Sequence, residues 1–539
     1  MKNSWNEITR EDVIKAIEVF DSEQSEYPEA RSTFLLYKSK KYPAKHIRGM
    51  AYKIHFGEEI SKADYSGGAE SVRFFDRLGF EVRYVHKNVN THPKRARKVY
   101  SDKADIRVGL YLQTYGFQNK RCFEIAMEQV KKSDIDILVL PECSYVPFED
   151  EMERSDFLNE MQADHLFNKA LSLSEEIGKA VVFCGKDING IIMSFYANAF
   201  AQGSDTVKKS YIKHTMTDYS ACELKNYSEY IKNAFEPIIY KGWRIGHTIC
   251  YDCNHAMFSR KYGLNGVDII LNSTGGDVIY DKWNKYNKAR SIENHCFSFV
   301  TMGGFDGDNT HNYVFGFTPE GKEMPLRLID GSRPENRNTS GAVYVYDTSD
   351  YDGTTEEDQS VNQKEKPNKY QTLFIKENAV AEFSAQGKAV AHNIRVFTHN
   401  DENIVLCMVD GADIMKPEKV LPLLYDYRLK GIKNKRYIII NHWSELGEYF
   451  YMTKLSLILK VRSMENYCAV ILDSPSVKKC FQCGKNRTAQ VVRSENGEFG
   501  IDLSRTSGPE AIWKNKPGMK ACWRNNIEYL IGTMTAPEI

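Results

Sequence analysis

The stretch Gly242-Trp-Arg-Ile-Gly-His-Thr-Ile-Cys-Tyr-Asp252 constrains the chain more than any other. Its apolar residues alternate up to Cys250, the period of a half-buried strand, and Asn254 to Tyr262 then continue with a turn and a helix-like segment. A thiol between a strand and a helix sits beside backbone N–H groups, which can lower its pKa and bind an oxyanion. Alone, such a cysteine is by default a small core residue. Two other stretches change its meaning. Asp136-Ile-Leu-Val-Leu-Pro-Glu142 ends an apolar run on a carboxylate, and Ser210-Tyr-Ile-Lys213-His brings an ammonium.

The surrounding pattern is that of a layered α/β domain. Ile106, Val108, Leu110 and Leu112 alternate as a first strand, and Phe123, Ala126, Met127 and Val130 mark one face of a helix. Further strands are expected at Ile137–Leu140, Ala180–Cys184, Met193–Ala201, Arg244–Cys250, Val267–Asn272, Phe297–Met302 and Ala342–Tyr346, with helices in several of the gaps.

A Pro-Glu ending a strand, a Tyr-x-Lys and a Cys-Tyr-Asp, in that order, resemble the nitrilase superfamily of carbon–nitrogen hydrolases. Ala289-Arg-Ser-Ile-Glu-Asn294 is a fourth match, and the resemblance spans roughly residues 104 to 348. It implies an αββα sandwich and a catalytic set of Glu142, Lys213 and Cys250, with the backbone N–H near Tyr251 completing an oxyanion site. The family often adds a second Glu between the Lys and the Cys. Glu223 is the first candidate here and Glu229 the next. The implied substrate is a small amide or nitrile, with no cofactor and no metal. After the nucleophile, Asn254-His-Ala-Met replaces the commoner Arg-Phe-Pro-Glu, so no substrate carries over from a relative. The helix of Arg290, Glu293 and Asn294 reads as structural, and nearby surfaces in the family commonly pair subunits, so a homo-oligomer is expected.

At 539 residues, the chain needs more than one core. Residues 1–100 are expected to form a small head with a basic linker, 101–348 the hydrolase domain, 349–370 a polar linker, and 371–539 a C-terminal α/β domain. Thr9 and Asp12 read as a helix cap, followed by Val13, Ile14, Ile17 and Phe20 at helical spacing. With Tyr42-Pro-Ala-Lys-His-Ile-Arg-Gly49, Tyr65-Ser-Gly-Gly68 and Leu78-Gly-Phe-Glu-Val82, they resemble the head domain of McrA-type modification-dependent endonucleases and other bacterial defence proteins. That company suggests an antiviral role. Ser66-Gly-Gly is read as a tight turn and not a phosphate loop.

In the C-terminal part, Arg462-Ser-Met-Glu-Asn466 repeats Arg290-Ser-Ile-Glu-Asn294, and Tyr437-Ile-Ile-Ile-Asn441 repeats Asp268-Ile-Ile-Leu-Asn272. This suggests a partial second copy of the hydrolase fold, lacking counterparts of Glu142 and Lys213 and aligning Met408 with Cys250. Cys480-Phe-Gln-Cys483 has half the spacing of a zinc site, but Cys468 and Cys522 are irregularly placed, so a loop with ordinary thiols is expected. The twelve scattered cysteines fit a reducing cytoplasm. Formal net charge is zero, so any nucleic-acid contact falls to a local patch in the N-terminal region, including the basic Thr91–Lys98. No apolar run is long enough to span a membrane. The rival reading is a catalytically silent nitrilase-fold scaffold that binds a ligand and oligomerises.

Overall fold

The structure is a computed structural model. It describes the chain outside residues 1–4, 6, 23–32, 39, 62–64, 66–70, 72–73, 76, 85–102, 115–117, 143–162, 187–191, 216–220, 222–223, 276–277, 305–312, 336–338, 340, 355–370, 445, 447–453, 485–487, 493, 514–516 and 536–539. The Ser66-Gly-Gly turn, the Thr91–Lys98 linker and residues 355–370 of the 349–370 linker lie outside the described residues. The chain divides into two compact units, Met1–His92 and Pro93–Ile539.

In the first unit, Asp12 accepts from the Thr9 N–H at 2.8 Å and the Thr9 hydroxyl accepts from the Asp12 N–H at 3.3 Å, closing the expected cap of the Arg10–Ser22 helix. A three-stranded antiparallel sheet (Lys40–Pro43, Thr33–Tyr37, Glu81–Tyr84) packs with this helix and the Ala44–Phe56 helix. Arg48 is buried with its guanidinium 4.1 Å from the Trp5 ring centre.

The second unit contains the expected sandwich. One seven-stranded sheet runs in the order Arg327–Leu328, Val343–Asp347, Arg107–Tyr111, Ile137–Val139, Ala180–Lys186, Ile192–Ala197, Lys208–Ile212. The facing sheet runs Ile238–Tyr240, Trp243–Ile249, Ile269–Thr274, Phe297–Gly304, Phe315–Phe317, with its three middle strands parallel. Val108, Leu110, Ile137 and Val139 from the first meet Ile245, Ile269, Leu271 and Phe299 from the second. Helices Gln118–Lys132 and Ala163–Ile177 cover the outside of the first sheet. Helices Ala256–Leu264 and Tyr280–Asn294 cover the outside of the second.

One polar group ties the sheets together. Ser273 donates to the Leu140 carbonyl at 2.7 Å, so its oxygen is left to accept from His247 Nε2 at 3.1 Å. His247 Nδ1 is then the acceptor for Ser194, at 2.5 Å. The imidazole is neutral, and burial pushes its pKa down to about 3.

The C-terminal part is built around another seven-stranded sheet: Lys388–Ala391, Ile394–His399, Glu402–Asp410, Lys435–His442, Ala469–Asp473, Lys478–Cys483, Ala489–Val492. Its helices, Pro417–Leu424 and Ser456–Asn466, face the hydrolase helices across one continuous apolar core. Its other side is covered, among the described residues, by a small sheet of Thr372–Lys376, Glu498–Asp502 and Ser494–Glu495 and by the short helix Val380–Ser384. Cys480 and Cys483 lie on a strand, not in a loop, because Lys478–Cys483 pairs on both sides with neighbouring strands. Three positions apart on a strand, their side chains point to opposite faces.

His247 supplies a test of the two-sheet interior. A histidine whose folded pKa lies below its unfolded value gives stability that is full above about 6.5 and lost as pH falls toward 3. Urea unfolding between pH 7 and 4 should therefore show His247→Gln with a flatter acid limb than the wild type. An unchanged slope would mean that His247 takes up its proton in the folded state.

Candidate active site

Glu142, Lys213 and Cys250 come from three distant segments and meet at the C-terminal ends of three strands. Glu142 follows the Ile137–Val139 strand, Lys213 follows Lys208–Ile212, and Cys250 follows Trp243–Ile249. All three are buried. Lys213 Nζ donates to Glu142 Oε1 at 2.5 Å, and the Gly275 N–H donates to Glu142 Oε2 at 3.2 Å. The Cys250 thiol lies 3.8 Å from the Gly275 carbonyl, on the same residue whose N–H holds Glu142.

The electrostatics differ from the first expectation for the thiol. Burial pushes the Cys250 pKa up, the Glu142 carboxylate pushes it further, and the Lys213 ammonium only partly opposes them. The amides of the turn do not leave a free thiolate, and the resting sulfur keeps its proton beside a base. Lys213 is pulled down by burial but raised more strongly by Glu142 and Cys250, so it remains an ammonium. Burial lifts Asp252 to about 7, opposed by Lys213 and by three donors. Those donors are Thr215 Oγ1 at 2.7 Å, the Tyr211 hydroxyl at 2.9 Å and the His214 N–H at 3.2 Å. Asp252 thereby fastens the Tyr211–Thr215 segment, and Lys213 with it, to the cysteine turn.

Cys250 has φ of 45°, the left-handed region that a residue with a Cβ enters only at a cost. It begins the short 3-10 turn Cys250–Asn254. Asn272 Nδ2 donates to the Cys250 carbonyl at 3.3 Å and to Thr248 Oγ1 at 3.0 Å. Thr274 then holds the Asn272 amide oxygen at 2.6 Å, and Trp283 Nε1 holds Thr274 at 3.1 Å. Arg290 Nε donates to the Cys253 carbonyl at 2.9 Å, so both ends of the turn are clamped.

Of the other expected residues, Tyr251 is buried in the turn with its ring 5.7 Å from that of Trp283. Glu223 lies outside the described residues. Glu229 is exposed on the first turn of the Tyr227–Ala234 helix, pointing to solvent and not into this cluster. Asn272 and Gly275 were not singled out from the sequence. Their signal is Asn272-Ser-Thr-Gly275, a polar run closing an apolar strand. Gly275 is required because a Cβ there would meet the Glu142 carbonyl oxygen at 2.9 Å. Two surface cavities, of about 250 and 430 Å³, are lined by Asp134 and Asp136 at the opposite end of the strand from Glu142 and do not belong to this cluster. Among the described residues, no group of three or more His, Cys, Asp or Glu is placed to hold a metal ion.

Residues 118–314 match the family model described as carbon-nitrogen hydrolase. This chain carries a carbon–nitrogen hydrolase domain. Residues 6–84 match the ScoMcrA-like N-terminal head domain, so the first compact unit is a head of that type. A protein described as "Hydrolase in pqqF 5'region", from Pseudomonas protegens, is 26% identical over 224 residues, 39% of this chain and 73% of its own. Among solved structures, the carbon-nitrogen hydrolase of Helicobacter pylori G27 is 13% identical, covering 45% of this chain and 89% of its own at a TM-score of 0.31. An amidase from Nesterenkonia sp. is 16% identical, with the same coverages and a TM-score of 0.32. The hydrolase domain has the layered α/β architecture of its family.

The left-handed turn is open to a direct test. Cys250→Gly should be more stable than Cys250→Ala by about 1 kcal/mol, since glycine adopts positive φ without penalty. Denaturant midpoints of the two variants measure it, and equal values would remove the claim of strain at this position.

Proposed function

We propose that the hydrolase domain cleaves a non-peptide carbon–nitrogen bond of a small molecule, an amide in preference to a nitrile, through a thioester on Cys250. The reading rests on one observation: a buried carboxylate paired to an ammonium shares Gly275 as neighbour with a buried thiol, the carboxylate on its N–H and the thiol by its carbonyl. Glu142 takes the thiol proton as the sulfur attacks the amide carbon. The Lys213 ammonium, with the N–H of Tyr251, holds the oxyanion. Glu142 passes its proton to the departing amine, the C–N bond breaks, and an acyl group remains on sulfur. Water, deprotonated by Glu142, then attacks the thioester; the acid leaves and the thiol regains its proton.

Ammonia or amine release from a panel of small amides tests the reading. Cys250→Ala should be inactive. Glu142→Gln should lose about 10²–10⁴ in rate, and Lys213→Met about 10²–10³. Turnover surviving Cys250→Ala would overturn the mechanism. A biological function that persists in that variant without turnover would instead favour the scaffold reading.

For the head, nucleic acid is the proposed partner, and bacterial antiviral defence the proposed setting. The Thr33–Pro43 hairpin exposes Lys38, Lys40 and Lys41, a small set of cations suited to phosphate. Binding of the full chain to duplex DNA should weaken as salt rises from 50 to 200 mM, and Lys40→Glu with Lys41→Glu should lower the salt slope. Binding that is absent at low salt, or indifferent to salt, would remove this partner.

A further inference from the structure

Five consecutive strands of the C-terminal sheet, from Ile394–His399 to Lys478–Cys483, repeat the five-strand path of the hydrolase sheet. In each, three parallel strands are flanked by an antiparallel strand on either side: Trp243–Ile249, Ile269–Thr274 and Phe297–Gly304 in one, Glu402–Asp410, Lys435–His442 and Ala469–Asp473 in the other. Each first parallel strand ends in a five-residue 3-10 turn followed by a short helix, at Cys250–Asn254 and at Gly411–Met415. The details coincide. Asn441 donates to the Gly411 carbonyl at 2.9 Å, as Asn272 does to that of Cys250. Arg462 Nε donates to the Ile414 carbonyl at 2.9 Å, as Arg290 Nε does to that of Cys253. Gly411 has φ of 44°, against 45° for Cys250.

The residue in the nucleophile's place is therefore Gly411 and not Met408, which lies three positions earlier inside the strand. Sequence alignment alone missed this because the apolar strand slides without penalty, whereas the asparagine and arginine contacts fix the register. Glycine at a left-handed position removes both the thiol and the strain. The sheet that brings Glu142 and Lys213 to Cys250 is replaced by three short strands on this side.

The two halves meet through a closed ring of charge. Arg290 Nη1 pairs with Glu293 Oε2 at 2.5 Å, and Arg290 Nη2 pairs with Glu465. Arg462 Nη1 pairs with Glu465 Oε1 at 2.5 Å and with Glu293 Oε1 at 2.8 Å. All four side chains are almost completely inaccessible to water. Two arginines and two glutamates cancel, so a ring so deeply buried is electrically neutral. Arg290 is thus held at one edge by a residue of the C-terminal half while its Nε holds the cysteine turn. A guanidinium is a rigid fork, so fixing its Nη atoms fixes the direction of its Nε–H.

We infer that the C-terminal half is a second copy of the hydrolase half-fold without a nucleophile, and that its Glu465 is a positioning residue which acts through Arg290 to set the Cys250 turn. The inference rests on the reading of Cys250 as the nucleophile and deepens it: the silent half supplies part of the support for the active one.

The test uses the full-length chain and two readouts, amide turnover and the rate of Cys250 alkylation by iodoacetamide followed by peptide mass spectrometry. Glu465→Gln should lower kcat about tenfold or more with KM changed less than about twofold, and slow alkylation, because the reacting sulfur is misplaced and substrate contacts are not. Folded Glu465→Gln with unchanged kcat and alkylation overturns the proposal. If that variant does not fold, two lysine variants decide. Arg290→Lys and Arg462→Lys keep the charge and each lose the Nε contact to one turn. Slowed Cys250 alkylation in Arg290→Lys with a wild-type rate in Arg462→Lys supports positioning; equal effects reduce the ring to a structural element and overturn it. Should Cys250→Ala keep full turnover, the nucleophile assignment fails instead, a distinct result.

Discussion

The second unit is centred on one buried contact, the Glu142 carboxylate on the Lys213 ammonium, with the Cys250 thiol beside it at Gly275. In water such a pair gains little. Here the ions are shielded, and removing either partner would leave a charge costing roughly 3–5 kcal/mol. The same shielding keeps the sulfur protonated and puts its proton where Glu142 can take it. Under the proposed reaction the cluster supplies one mobile proton and one thiol, in a place where an oxyanion would meet a cation.

The fold exists around this contact in a specific sense. Two sheets must face each other for segments around residues 142, 213 and 250 to converge, and the His247–Ser273–Leu140 chain pins them across the gap. In the sheet that carries Cys250 and on the helix behind it, Asn272 and Arg290 hold the backbone turn. The C-terminal half packs against those same helices, with Trp523 4.8 Å from His255, and covers the face carrying Arg290 and Glu293. The expectation of pairing between subunits near that helix meets a surface which the chain already covers with its own residues.

Much of this was legible in the sequence, for physical reasons that also explain the gaps. Strands such as Ile137–Val139 and Trp243–Ile249 announce themselves by alternating or continuous apolar residues, and the family motifs sit at their ends. Glu142, Lys213 and Cys250 could be named because each is a reactive group where a strand stops. Asn272 and Gly275 could not, because their work is done by an amide and a backbone N–H that sequence does not set apart from ordinary turn chemistry. The direction of the Cys250 pKa shift also depends on how deeply the thiol is buried and how near Glu142 lies, which no motif encodes. Gly411 was missed for a third reason: a strand has no internal landmark, so a shift of three residues leaves its hydrophobic pattern intact.

The most direct measurement is the intact mass of the protein quenched in acid during turnover of an amide, followed by peptide mapping. The account predicts one acyl group per chain, carried by the peptide containing Cys250 and lost on standing at neutral pH as water attacks the thioester. An acyl group on another residue, or active turnover in which rapid quenching never finds the sulfur modified, would contradict it.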